Sequence, residues 1–209
     1  MSGAILPAFH RLRRGSAAAL VLVMAMAVAP AEATTQWDAA DGARLASGEA
    51  VARIVEEAGP GGRVLAAIDI PAPPSVVWRV MLDCARAPLY VPGLQSCTVI
   101  ERAADGLSDV REHRIRWIAL LPTLRLRFRS EYEPERTIRV NRIGGDLAAM
   151  QGAWVLEPRE DGRATRLHYD FHLAPRTPLP AGLVRAGMMR DAPEVLEAVR
   201  DEVLRVADR

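Results

Sequence analysis

Apolar and polar residues alternate along most of the middle of this chain. Over 110–120, His113, Ile115, Trp117 and Ala119 fall on one side, and Glu112, Arg114 and Arg116 on the other. Past Leu121-Pro122, the residues Leu124, Leu126, Phe128, Ser130 and Tyr132 oppose Arg125, Arg127, Arg129 and Glu131. A period of two with one greasy side predicts half-buried antiparallel strands. A further strand is expected at 137–142, ended by Gly144-Gly145. Strands at 150–157 and 165–173 are expected to join through Glu160-Asp161-Gly162. In the last of these, Leu167, Tyr169, Phe171 and Leu173 share a side. Residues 63–70 read as a strand closed by Pro71. Residues 50–57, set between Ser47-Gly48 and Gly59-Pro60-Gly61-Gly62, read as another.

Elsewhere the spacing is helical. Pro73-Pro74-Ser75 opens a helix whose stripe is Val76, Val77, Val80 and Met81, because proline is tolerated in a first turn. Ala87-Pro88 and Val91-Pro92-Gly93 bracket a second, very short helix, and 39–45 suits another. After Pro175, Pro178 and Pro180, the residues Val184, Met188, Val195, Val199, Val203 and Val206 form one long stripe. Asp191-Ala192-Pro193-Glu194 has the form of a capping box with an early proline, so a break is expected near Asp191, giving two helical segments or one kinked helix. An antiparallel sheet with one greasy side needs a cover, and only the terminal helix is long enough to supply it.

The first residues belong to a different pattern. Arg11, Arg13 and Arg14 precede an uncharged apolar run at 17–29, and Ala31-Glu32-Ala33 offers small residues where a signal peptidase reads. This is the three-part form of a secretory signal peptide. The run is shorter than the ~20 residues of a membrane span. Cleavage after Ala33 leaves 176 residues with a formal charge of −1, since three Arg and one Glu depart from a chain of net charge +1. So balanced a charge gives no ground for nucleic-acid binding. Export points to the periplasm or the exterior. There, Cys84 and Cys97 would either pair across a short loop or remain two buried thiols.

The stretch 67–78, Ala-Ile-Asp-Ile-Pro-Ala-Pro-Pro-Ser-Val-Val-Trp, resembles the opening strand and helix of the START-like (SRPBCC) superfamily. Leu82-Asp83 and Pro88-Leu89-Tyr90-Val91-Pro92-Gly93-Leu94 are similar to its following helix pair. Gly152-Ala153-Trp154-Val155-Leu156-Glu157-Pro158 is similar to its late small-residue–tryptophan strand. Within the superfamily the likeness is greatest to the polyketide cyclase and lipid-transport branch, which includes coenzyme-Q-binding START domains. The resemblance implies an α+β helix-grip fold: a curved antiparallel sheet wrapped around a long C-terminal helix, with two short helices after the first core strand. The domain plan is then a signal peptide at 1–33, an N-terminal extension at 34–62 and a START-like domain at 63–209. Superfamily members bind lipids, sterols, quinones, polyketides or plant hormones, and a minority are enzymes. The quoted motifs are packing and turn residues, which speak for fold more than for activity.

The expected function is a periplasmic carrier of a hydrophobic small molecule held between sheet and terminal helix. His113, Ile115, Trp117, Leu126, Phe128, Tyr169 and Phe171 would line the sheet side, with Leu183, Met188 and Met189 contributing from the helix. His113 and Tyr169 are the polar groups able to orient a carbonyl or quinone oxygen. The alternatives are a cyclase- or aldolase-type enzyme using those two residues as acid or base, and a non-catalytic envelope module. The chain lacks a Gly-x-Ser-x-Gly elbow, a phosphate-binding glycine loop and a His-Glu-x-x-His helix. No catalytic residue, cofactor or metal is therefore assigned. His168, Asp170 and His172 share one strand side, but it is the outward one. Arg114, Arg116, Arg125, Arg127 and Arg129 form an outward basic row suited to anionic head groups.

Overall fold

The computed structural model describes residues 37–55, 59, 61–116, 122–176 and 179–208. The expected signal peptide, the position of its cleavage and Trp117 lie outside these. Eight strands form one antiparallel sheet: β1 (Val51–Val55), β2 (Gly62–Ile70), β3 (Leu94–Arg102), β4 (Ser108–Ile115), β5 (Leu124–Glu133), β6 (Thr137–Gly145), β7 (Leu147–Arg159) and β8 (Ala164–Pro175). Their spatial order is β1-β2-β8-β7-β6-β5-β4-β3. The helices are α1 (Ala39–Ala46), α2 (Pro74–Leu82), α3 (Ala87–Tyr90) and α4 (Ala181–Ala207). The sheet curves around α4, which is the helix-grip arrangement.

The long stripe of α4 does what its spacing predicts. Val184, Met188, Val195, Val199 and Val203 are all buried, joined by Leu196 and Ala192. Of the two forms expected near Asp191, two separate helical segments do not occur. One helix runs through Pro193, although an interior proline removes a hydrogen bond and crowds the preceding turn, at about 3 kcal/mol. Burial of the stripe on both sides of Pro193 outweighs that cost, since each fully buried Val or Leu contributes about 1.5–3 kcal/mol.

β3 is the element that the alternation missed. It is an edge strand paired only to β4, with register shifts between Leu94 and Ser96 and between Val99 and Glu101. Its side chains are mostly exposed, Ile100 among them, so no period-two signal marks it. Two cross-links fix its surroundings. Cys84, just past α2, is bridged to Cys97 on β3, with a Cα–Cα distance of 5.4 Å. Arg86 reaches the buried Glu202 of α4, which Arg205 also contacts, so α3 is held from both sides.

The extension before β2 is structured. Asp38 caps α1 by accepting the N–H of Asp41 at 2.8 Å. Leu45 of α1 packs with Val51 and Ala67 in a small second core, to which Trp37 adds its flank. Ala67 lies on the side of β2 opposite to Val64, Ala66 and Ile68, which face the main core. Thus α1 covers the outer side of the sheet at β1 and β2.

Candidate ligand cavity

A cavity of about 230 Å³ lies between the inner side of β4–β8 and the helices α2, α3 and α4. Strand alternation builds its wall. His113 and Ile115 come from β4. Leu124, Leu126, Phe128 and Ser130 come from β5, Ile138 and Val140 from β6, and Tyr169, Phe171 and Leu173 from β8. The helix closes it with Val184, Met188, Ala192 and Val195, at intervals of four, four and three.

Seven of the ten expected lining residues therefore meet around one space: His113, Ile115, Leu126, Phe128, Tyr169, Phe171 and Met188. Leu183 does not. It is 57% exposed, because a residue one step before Val184 is turned about 100° away on a helix. Met189 packs against the core without reaching the cavity.

Gly152 decides how the aromatic wall fits. It stands opposite Phe171 in the β7–β8 register. A Cβ there would lie 2.2 Å from the Asp170 carbonyl oxygen and 2.6 Å from the Phe171 ring. Without a side chain at 152, the Phe171 ring stacks on Tyr169 at 4.5 Å between centroids. Trp154 meets Tyr169 edge-on at 4.7 Å. The small-residue–tryptophan strand thus makes room for one aromatic and supplies another.

The polar end of the cavity was only half legible. Arg111, which the sequence reading did not single out, lines the space and is 6% exposed. Its Nε donates to both carboxylate oxygens of Asp109 at 3.0 Å. Its Nη2 donates to the Leu82 carbonyl and the Tyr132 hydroxyl, each at 3.0 Å. Asp109 is 2% exposed. A buried charge needs such a partner, so the pair is internally neutral. The Asp109-x-Arg111 spacing was visible, but only the fold reveals that both side chains are enclosed.

His113 sits next to this pair, edge-on to Phe128 at 4.8 Å. Its Nε2 is buried and has no hydrogen-bond partner among the described residues. Burial, with Arg111 adding, pushes its pKa down to about 4, so the ring is neutral at pH 7. Burial, reinforced by Asp191 and Asp170, holds the Tyr169 hydroxyl protonated far above its ordinary range. His113 and the Tyr169 hydroxyl are therefore uncharged at pH 7, and Arg111 is offset by Asp109.

The outward strand side is more engaged than a solvated surface. His168 is only 8% exposed and its Nε2 lies 2.9 Å from Glu157. Asp170 takes a two-pronged contact from Arg63 at 2.7 Å. His168 and Asp170 are thus occupied with protein partners, and no group of three or more metal-ligating residues forms among the described residues.

A curved sheet gripping a terminal helix around an apolar cavity defines a START-like protein. Residues 70–200 match the family described as "Polyketide cyclase / dehydrase and lipid transport", and the chain belongs to that family. Solved structures share the fold. TTHA0849 from Thermus thermophilus is 24% identical, with a TM-score of 0.60 over 69% of this chain and 99% of its own. The Zhui aromatase/cyclase from Streptomyces sp. R1128 is 20% identical, with a TM-score of 0.60 over 70% and 96%. The lipid transfer and protein localization domain of human StarD13 is 15% identical, with a TM-score of 0.63 over 73% and 83%. A search of the curated proteins finds no match. α1 and β1 precede the family match.

Proposed function

We propose that this protein is an exported carrier that encloses an uncharged hydrophobic molecule bearing an oxygen acceptor, such as a quinone, ester or polyketide-like ketone. The observation that carries the reading is the unspent hydrogen-bonding capacity in an apolar cavity. His113 Nε2 has no protein partner among the described residues. Arg111, held by Asp109, Leu82 and Tyr132, lines the cavity beside it. A buried polar atom without a partner costs about 1–3 kcal/mol, and a ligand oxygen would recover it. Because Asp109 already offsets Arg111, a carboxylate ligand would bring an uncompensated charge into the cavity, which opposes its entry. The apolar part of the guest leaves water at about 25 cal/mol per Å². The cavity is smaller than the ~300–1,000 Å³ of pockets for drug-sized ligands. A long lipid would therefore need Met188 and Met150 to shift, and methionine is the side chain best suited to that. The export half of the proposal is supported by the N-terminal pattern alone, and the periplasm is the compartment it points to.

Native mass spectrometry of the purified protein, followed by organic extraction, tests the reading. A co-purifying neutral compound of low polarity is expected. Recovery of fatty acids or anionic lipids in its place, or a protein that neither retains nor takes up any apolar compound, would refute it.

The cyclase-type alternative uses the same cavity and draws on the family description and the aromatase/cyclase likeness. The chemistry available to it is narrow. A histidine with a pKa of about 4 is a poor proton donor at pH 7 and a weak base, and Tyr169 would have to act as the acid. Turnover of a polyketone that falls on substitution of both residues would favour it.

A further inference from the structure

On the outer side of the sheet, Arg114 of β4 stands directly opposite Arg125 of β5. Both are exposed, and so is Arg116, one residue past the end of β4. Like charges directly opposite one another destabilise a strand pair, so this arrangement works against the fold. The next outward pair shows what a balanced sheet looks like. There Arg127 stands opposite Glu112, and the two form an ion pair at 2.9 Å. No carboxylate forms an ion pair with Arg114, Arg116 or Arg125 among the described residues. The nearby Asp146 carboxylate instead accepts the backbone N–H of Arg125 at 2.7 Å. The connection at 117–121 carries no charge in the sequence.

The patch is not placed at random on the sheet. The Arg116 N–H donates to the Gly93 carbonyl at 2.9 Å, which holds the turn after α3 against it. Val91 and Pro92 of that turn line the cavity, as do Ile115 and Leu124, which flank the arginines on β4 and β5. One end of the cavity and the unbalanced arginines therefore share one end of the sheet.

We infer that Arg114, Arg116 and Arg125 form a docking surface for an anionic lipid bilayer, which brings this end of the cavity to the membrane. Guanidinium groups suit phosphate head groups because their planar fork bonds two oxygens at once. Each Arg near an anionic surface strengthens binding about fivefold. The docking claim does not depend on what the cavity holds, so its failure would leave the ligand reading standing.

The experiment is sedimentation of the purified protein with phosphatidylcholine vesicles, with and without phosphatidylglycerol. An N-terminal segment, if retained, would carry Arg11, Arg13 and Arg14 onto the anionic vesicles as well, but equally in every variant, so the quantity read is the change in the ratio from one variant to another. The protein is expected to partition at least about tenfold more strongly onto the anionic vesicles, less so as salt is raised. The R114S/R116S/R125S variant should lower this preference at least about tenfold. The R102S/R136S/R163S variant, which removes the same charge from the opposite end of the sheet, should keep it. Should the first variant fail to fold, Arg116→Ser alone is expected to lower the ratio about fivefold. Equal partition onto both vesicles, or no binding to either, would overturn the inference. So would a preference undiminished by loss of the patch, or one that falls equally in the two triple variants.

Discussion

At Gly152 a single hydrogen atom decides whether the aromatic wall assembles. Gly152→Ala would drive a methyl group into backbone and into the Phe171 ring, with no flexible side-chain end to yield. A loss of at least about 1–3 kcal/mol is expected, read as a lower urea midpoint. His113 invites the opposite kind of test. His113→Phe removes a buried nitrogen that has no partner, so stability should hold or rise. Affinity for an oxygenated ligand should fall about tenfold, as the loss of one hydrogen bond in a dry site implies. Fluorescent-ligand displacement reads the affinity, and unchanged affinity would remove His113 from the site. The lining residues on strands were legible because alternation fixes the side on which each one falls. Leu183 was misplaced because apolar character alone does not say which side of a helix a residue occupies. Arg111 was missed because a charged side chain inside an apolar cavity runs against every compositional cue until Asp109 is seen beside it.

Among the elements, α3 is the smallest and the most firmly tied. It holds cavity residues Ala87 and Tyr90 between the Cys84–Cys97 bridge and the Arg86–Glu202 contact. Tyr90 also donates its hydroxyl to the Met81 carbonyl at 3.2 Å. Replacing both cysteines by serine should cost about 3 kcal/mol in the chain-entropy view of a loop this short. Thermal melts of the oxidised protein and the double variant measure it, and equal melting temperatures would show that the bridge carries none of the stability. The α4 stripe shows how far an element can be read ahead. Its buried valines were all identifiable from spacing. Whether Pro193 would split it into two segments was not, because local proline chemistry allows either form and only packing on both sides decides between them. β3 shows the converse: an exposed edge strand takes its conformation from its neighbour β4 and leaves almost no hydrophobic period of its own.

For the whole molecule, two enclosed histidines link stability to pH. His113 is held at about 4 by burial and by Arg111, and burial also lowers His168 despite the opposing Glu157 carboxylate. An unfolded chain binds protons at both near pH ~6.5, and the native protein does not. Their contribution is complete above that unfolded value and is lost as pH falls through the folded values. For His113 alone the loss amounts to about 2 kcal/mol by pH 5. The urea midpoint should therefore drop between pH 7 and pH 5, and less so in His113→Phe. A midpoint flat over that range would contradict the neutral histidine. The chain by itself determined that there is a sheet, which side of each inner strand is greasy, and that one terminal helix covers it. Those features follow from residue periods of two and about 3.6, which are local. The tertiary structure alone decided that the sheet curves enough to leave about 230 Å³ unfilled, that a neutralised Arg111–Asp109 pair sits inside, and that Arg114 and Arg125 face each other outside with no ion pair among the described residues. Each of these depends on residues far apart in sequence meeting across strands and helices. No local period encodes such meetings.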